Sequence, residues 1–134
     1  MPEAVVAITG ASGAQYGVRL VDELLDAGWS LSLIVTSAGA INLDLECGIA
    51  PEALGERDGV TLEDNDNLAA RAASGSARFD AYVVCPASGT TIGKIAAGIS
   101  DNLATRSALV ALKERRKLIL VPREAPVSTP HLEA

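Results

Sequence analysis

Histidine occurs once in the 134 residues, at His131, and cysteine twice, at Cys47 and Cys85. A lone histidine excludes a His-based metal cluster, and the two cysteines have neither metal-ligand spacing nor a secretory context. Cys85 closes the apolar run AYVVC, where a small buried hydrophobe is the plainer role. Positive charge is scarce as well. A net charge of −6 and a pI near 4.7 argue against a broad nucleic-acid surface, which needs an excess of cationic side chains. The one dense basic cluster is LKERRK at 112–117, so an anion site is expected near it. No apolar run reaches the roughly 18 residues of a membrane span. The opening MPEAVVAIT lacks the basic start and long apolar centre of a secretory leader, so the expected compartment is the cytoplasm.

What remains is a chain with 49% hydrophobic residues, enough for one globular core. Four short runs rich in Val, Ile and Leu read as strands: AVVAIT at 4–9, LSLIVT at 31–36, AYVVC at 81–85 and KLILVP at 117–122. Their continuous apolar character predicts strands buried on both faces. Helical patterns lie between them. Tyr16, Leu20, Leu24 and Ala27 recur at helical spacing before Gly28. Residues near 90–97 and 101–115 read as two helices, with Asp101 or Asn102 as cap of the second. Pro51 to Arg78 reads as a loop-rich crossover with one short strand near Val60 or Leu62. Strands alternating with helices predict an α/β protein with a parallel sheet.

The turn TGASG joins the first strand to the first helix. It places Ser12, Gly13 and the first helical amides at the carboxyl end of the sheet, where a helix N-terminus favours an anion. A nicotinamide site would carry an acidic residue about 20 positions later, at the second strand end, to hold the adenosine ribose. That position reads Thr36-Ser37 instead, which suits a phosphate or a ribityl chain. The third strand end, CPASGTTIGK, again presents hydroxyls at Ser88, Thr90 and Thr91. Any one of these hydroxyls is an ordinary helix cap, but three adjacent strand ends bearing them point to a mononucleotide.

The chain resembles the flavin prenyltransferase (UbiX-like) family in the blocks TGASGAQYGVRL, ASGS at 73–76, CPASGTTIGKIAAGISDNL and ALKERRKLILVPREAP, followed by STPHLE. The resemblance implies a flavodoxin-like or Rossmann-like three-layer fold, an open parallel sheet with helices on both faces. It implies bound FMN and the joining of a dimethylallyl group from dimethylallyl phosphate to reduced FMN, so that prenylated FMN is made for a partner decarboxylase. A homo-oligomer is implied too, a dodecamer in the family, with sites at subunit interfaces. Ser12, Thr36, Ser88, Thr91 and Arg106 match FMN-contacting positions, with Gly10 and Gly13 in the first turn. Lys113 and Arg123 match positions that hold the prenyl phosphate. Glu46 and Glu124 match acidic active-site positions, and Ser12 and Glu124 would relay or orient protons.

Two departures bear on this reading: PAS at 86–88 stands where the family commonly has PCS, and Leu109 replaces an acidic residue. The first brings in an alternative, an FMN-dependent cysteine decarboxylase or a flavoprotein reductase of the same superfamily. A non-catalytic FMN-binding subunit is the other. The family continues beyond STPHLEA, which itself opens as a helix. The expectation is therefore a single flavoprotein domain over 1–134, continued in the natural protein by about one helix, strand and helix, with KLILVP left as an unpaired edge.

Overall fold

A computed structural model describes residues 1–123 and 129–134. Five strands, β1 (Glu3–Ile8), β2 (Ser30–Val35), β3 (Val60–Glu63), β4 (Ala81–Ala87) and β5 (Leu118–Pro122), form one parallel sheet in the order β3-β2-β1-β4-β5. Six helices accompany them: α1 (Ala14–Asp26), α2 (Ser37–Cys47), α3 (Pro51–Gly55), α4 (Gly89–Ala97), α5 (Leu103–Lys113) and α6 (Thr129–Glu133). None is long and apolar enough to cross a membrane among the described residues. This is the doubly wound α/β arrangement that the alternating pattern predicts, and the strand order reverses between β1 and β4. Ligands of such sheets bind at that switch point, beyond the carboxyl ends of the strands.

The strand alternation divides the core in two. Ala4, Val6, Ile8, Leu31 and Leu33 point to one face, where Val21, Leu43 and Leu54 of α1, α2 and α3 cover them. Val5, Ala7, Ile34, Tyr82 and Val84 point to the other, under Leu103, Ala104 and Ala111 of α5. Each fully buried Leu or Val here contributes roughly 2 kcal/mol. Close approach sets the helix positions: a Cβ on Gly17 would lie 2.7 Å from the Cys85 carbonyl oxygen, and one on Gly39 would strike that of Ile8.

Three sequence expectations need correction. β1 and β4 are buried on both faces, but β5 is half exposed, with Ile119 and Val121 open to solvent. It is the edge strand, and Ile119 and Val121 line an open apolar cavity of about 400 Å³ with Leu20 and Leu24 of α1. The crossover from Pro51 to Arg78 contains β3 as expected, and also α3, which opens on Pro51, and a 3-10 turn at Arg71–Ala73. The second long helix stops at Lys113 rather than 115, because Glu114 caps it and Arg115 turns left-handed at φ 55°. Arg116 then donates to the carbonyls of Gly75 and Ala77 and to the Tyr82 hydroxyl. It is a structural latch on the ASGS loop.

Candidate functional site

The turn after β1 is held from two directions. Thr9 is fully buried; its hydroxyl accepts from the Ser88 N–H at 2.8 Å and donates to the Pro86 carbonyl at 2.6 Å. It thereby fixes the end of β4 against the end of β1. From the other side, Asn42 of α2 donates to the Ala11 carbonyl at 3.0 Å. Neither Thr9 nor Asn42 stands out in the sequence, because each acts on backbone that is distant along the chain.

Gly13 starts α1 in the left-handed region, φ 108°, and no neighbouring side chain caps the helix. The cap comes from α2. The Glu46 carboxylate accepts from the Gly13 and Ala14 N–H groups at 2.9 and 2.8 Å. The bonds from Ala14 and Gly13 hold this carboxyl below its ordinary range, and Ser12 and the Arg123 guanidinium add to the effect. Arg123 lies over the same turn, its Cγ 3.1 Å from where a Gly13 side chain would begin. The helix N-terminus does favour an anion here, but the anion is the protein's own Glu46. The structure thus gathers Ser12, Gly13, Glu46 and Arg123 into one cluster. Glu124 lies outside the described residues.

The two hydroxyl-bearing strand ends form a second cluster. The Thr36 hydroxyl accepts from the Gly39 N–H at 3.0 Å and caps α2. Ser88 Oγ accepts from the Thr91 N–H at 3.1 Å, capping α4, and lies 2.8 Å from Thr91 Oγ1. Both hydroxyls are caps, the ordinary role for such residues, and they also line a common cavity. That cavity, about 270 Å³, is bounded by Gly10, Thr36, Ala38, Ser88, Thr90, Thr91, Lys94 and Asn102. Asn102 caps α5 through a reciprocal box with Thr105. One turn beyond this cap, Arg106 has a buried Nε with no hydrogen-bond partner. A buried donor left unpaired is costly, and an anionic ligand reaching this end of α5 would satisfy it. The residues present therefore fit a phosphorylated flavin.

Lys113 is not brought to either cluster within one chain. Arg106 and Lys113 share a face of α5 but stand about 10 Å apart along its axis. Lys113 is 76% exposed, with Glu114 at 4.0 Å. It precedes the start of β5, at the amino end of the sheet.

The fold and its crevice at the β1/β4 switch point are those of a flavin-binding α/β protein, and a family model described as Flavoprotein matches residues 2–131. Flavin prenyltransferase UbiX of Thermoplasma acidophilum is 46% identical over 125 residues, covering 93% of this chain and 68% of that protein. AnUbiX, solved in complex with FMN and dimethylallyl pyrophosphate, superposes with a TM-score of 0.94 at 34% identity, covering 98% of this chain and 70% of its own. A dodecameric FMN-dependent UbiX-like decarboxylase from Escherichia coli O157:H7 gives 0.93 at 38% identity, over 98% and 72% of the two chains. The chain belongs to the flavin prenyltransferase (UbiX-like) family of flavoproteins. It spans about two-thirds of the length of the curated relatives it matches.

Proposed function

We propose that this chain binds FMN and, as a homo-oligomer, transfers a dimethylallyl group from an allylic phosphate ester to reduced FMN, in a reducing cytoplasm that suits its free Cys47 and Cys85. The observation that carries the proposal is the adjacency of two clusters at one end of the sheet. One is the hydroxyl-lined cavity bordered by Asn102, with the unpaired Nε of Arg106 on the same helix, and the other is the Ser12–Glu46–Arg123 group at the start of α1. Thr36, Ser88, Thr91 and Arg106 would hold the flavin, with Gly10 and Gly13 allowing close approach to the backbone. Reduced FMN, when bound, supplies the nucleophilic ring atoms that accept the dimethylallyl group.

The protein's own contribution is positional and electrostatic. As the allylic C–O bond breaks and phosphate departs, Arg123 would neutralise the leaving charge. Glu46, kept ionised by two backbone N–H groups, would favour the positive charge that develops on the allyl carbon. Ser12, in reach of Glu46, and Glu124 would move or orient the protons displaced from the acceptor. Lys113 would reach the phosphate from a neighbouring copy. Assembly is supported by α2, a helix apolar on both sides, whose Ile41 and Leu45 are 60% and 76% exposed beside the site. The product would pass to a partner decarboxylase.

The test is mass analysis of the flavin after anaerobic incubation of the protein with reduced FMN and either dimethylallyl phosphate or the pyrophosphate. A flavin heavier by one dimethylallyl unit is the expected result. Unmodified flavin with both donors, from protein that retains FMN, would leave a binding subunit as the better description.

A further inference from the structure

Lys94 of α4 is the one charged side chain lining the hydroxyl-bearing cavity among the described residues. Its ammonium is held at 3.0 and 3.2 Å from the two carboxylate oxygens of Asp101, which is not itself part of the lining. The pair is partly open to solvent, Lys94 at 32% and Asp101 at 56% exposure, so it is weakly held. An anion entering the cavity needs donors. The hydroxyls of Thr36 and Ser88 already serve as acceptors for the backbone of α2 and α4, and the amides that begin α1 are taken by Glu46. Hydroxyl O–H groups can still donate but carry no charge, so Lys94 is the cationic donor that lines the cavity among the described residues, and Arg106, with its unpaired Nε, stands one turn beyond the Asn102 cap of α5. A flavin mononucleotide carries close to two negative charges on its phosphate at neutral pH, whereas riboflavin carries none.

We propose that Lys94 reads the terminal phosphate of the flavin, exchanging the Asp101 carboxylate for the phosphate when FMN enters, while Asp101 holds the ammonium at the rim otherwise. This rests on the FMN-binding reading above and adds to it a residue that decides between the phosphorylated flavin and its neutral parent. Charge-assisted bonds to phosphate are stronger than neutral ones, and Lys binds phosphate as a point charge, so Arg at the same place should keep much of the selectivity.

The experiment is titration of flavin-free protein with FMN and, separately, with riboflavin. Wild type, Lys94→Ala, Lys94→Arg and Asp101→Asn are compared by calorimetry at two salt concentrations. Wild type is expected to prefer FMN over riboflavin. Lys94→Ala should lose at least about tenfold in FMN affinity, about 1.4 kcal/mol, while its riboflavin affinity stays within about twofold. Lys94→Arg should keep most of the preference, and Asp101→Asn should bind FMN no more weakly than wild type, because a competing carboxylate has gone. An equal loss of both flavins in Lys94→Ala, or a loss of neither, overturns the phosphate-reading role while leaving FMN binding by the wild type intact. Wild type that binds no FMN overturns the flavin reading itself, and this role with it.

Discussion

Two strand-to-helix turns flank the switch point of the sheet, and they solve the same problem in different ways. At the end of β4 the chain caps its own helix, with Ser88 bonding three residues ahead. At the end of β1 the small residues offer no cap, and α1 borrows the Glu46 carboxylate from α2, 32 residues further on. Both turns resemble anion sites in their sequence. The turn at the end of β4 opens on a cavity whose one charged lining side chain among the described residues is the cationic Lys94, while the turn at the end of β1 already holds the Glu46 carboxylate, with Arg123 over it. The pair teaches that a glycine-rich turn specifies available amides, and that another part of the chain decides what those amides bind.

The contrast is broken most severely at the contact that seats α2. A side chain on Gly39 meets the Ile8 carbonyl, so Gly39→Val should lower stability by about 3 kcal/mol and carry Glu46 away from the first turn. On α4 a Cβ at Gly93 meets nothing within 4 Å, so Gly93→Ala should be neutral or stabilising by up to about 1 kcal/mol. Urea denaturation of the two variants gives the comparison, and a similar loss for both would refute it.

The next effect separates chemistry from binding. Arg123→Ala, Lys113→Ala and Glu124→Gln should each leave FMN bound and slow flavin prenylation at least about tenfold, or about 1.4 kcal/mol of barrier. If Lys113 serves a neighbouring copy, mixed oligomers of Lys113→Ala and Arg123→Ala chains should recover part of the activity that each lacks alone. Variants that shed FMN along with turnover would point to a structural role.

Smaller still is the loss of the self-made cap. Ser88→Ala should cost about 1 kcal/mol of stability, read from the thermal or urea midpoint; no change would mean that the Ser88 bonds are made equally well by solvent.

The smallest expected effect is that of pH on the borrowed cap. Because the folded-state value of Glu46 is depressed below the ordinary 4.5, its stabilising contribution is fully present above that value. It is lost as pH falls through the lower folded value. The Tm difference between wild type and Glu46→Gln should therefore shrink between neutral pH and about pH 3, and a difference that grows on acidification would contradict the assignment.

The sequence by itself determined the parallel α/β class, since continuous apolar strands separated by amphipathic helices admit few other arrangements. It also placed the turn at Gly10–Gly13, the hydroxyls at Thr36, Ser88 and Thr91, the stop at Gly28 and a cap at Asp101 or Asn102, of which the structure uses Asn102, because each depends on neighbours a few residues away. Helix α2 carried no such signal: Ile41, Leu43 and Leu45 alternate with Asn42, Asp44 and Glu46, so it lacks the stripe that helical periodicity detects. Only the tertiary structure decided that Glu46 closes the start of α1, that Thr9 ties β1 to β4, and that Lys94 lines one cavity with Thr36, Ser88 and Thr91. It also decided that Lys113 stands at the far end of the sheet from Arg123. These are meetings between elements on different layers or at different ends, and their geometry follows from strand order and helix packing, which act over the whole chain at once.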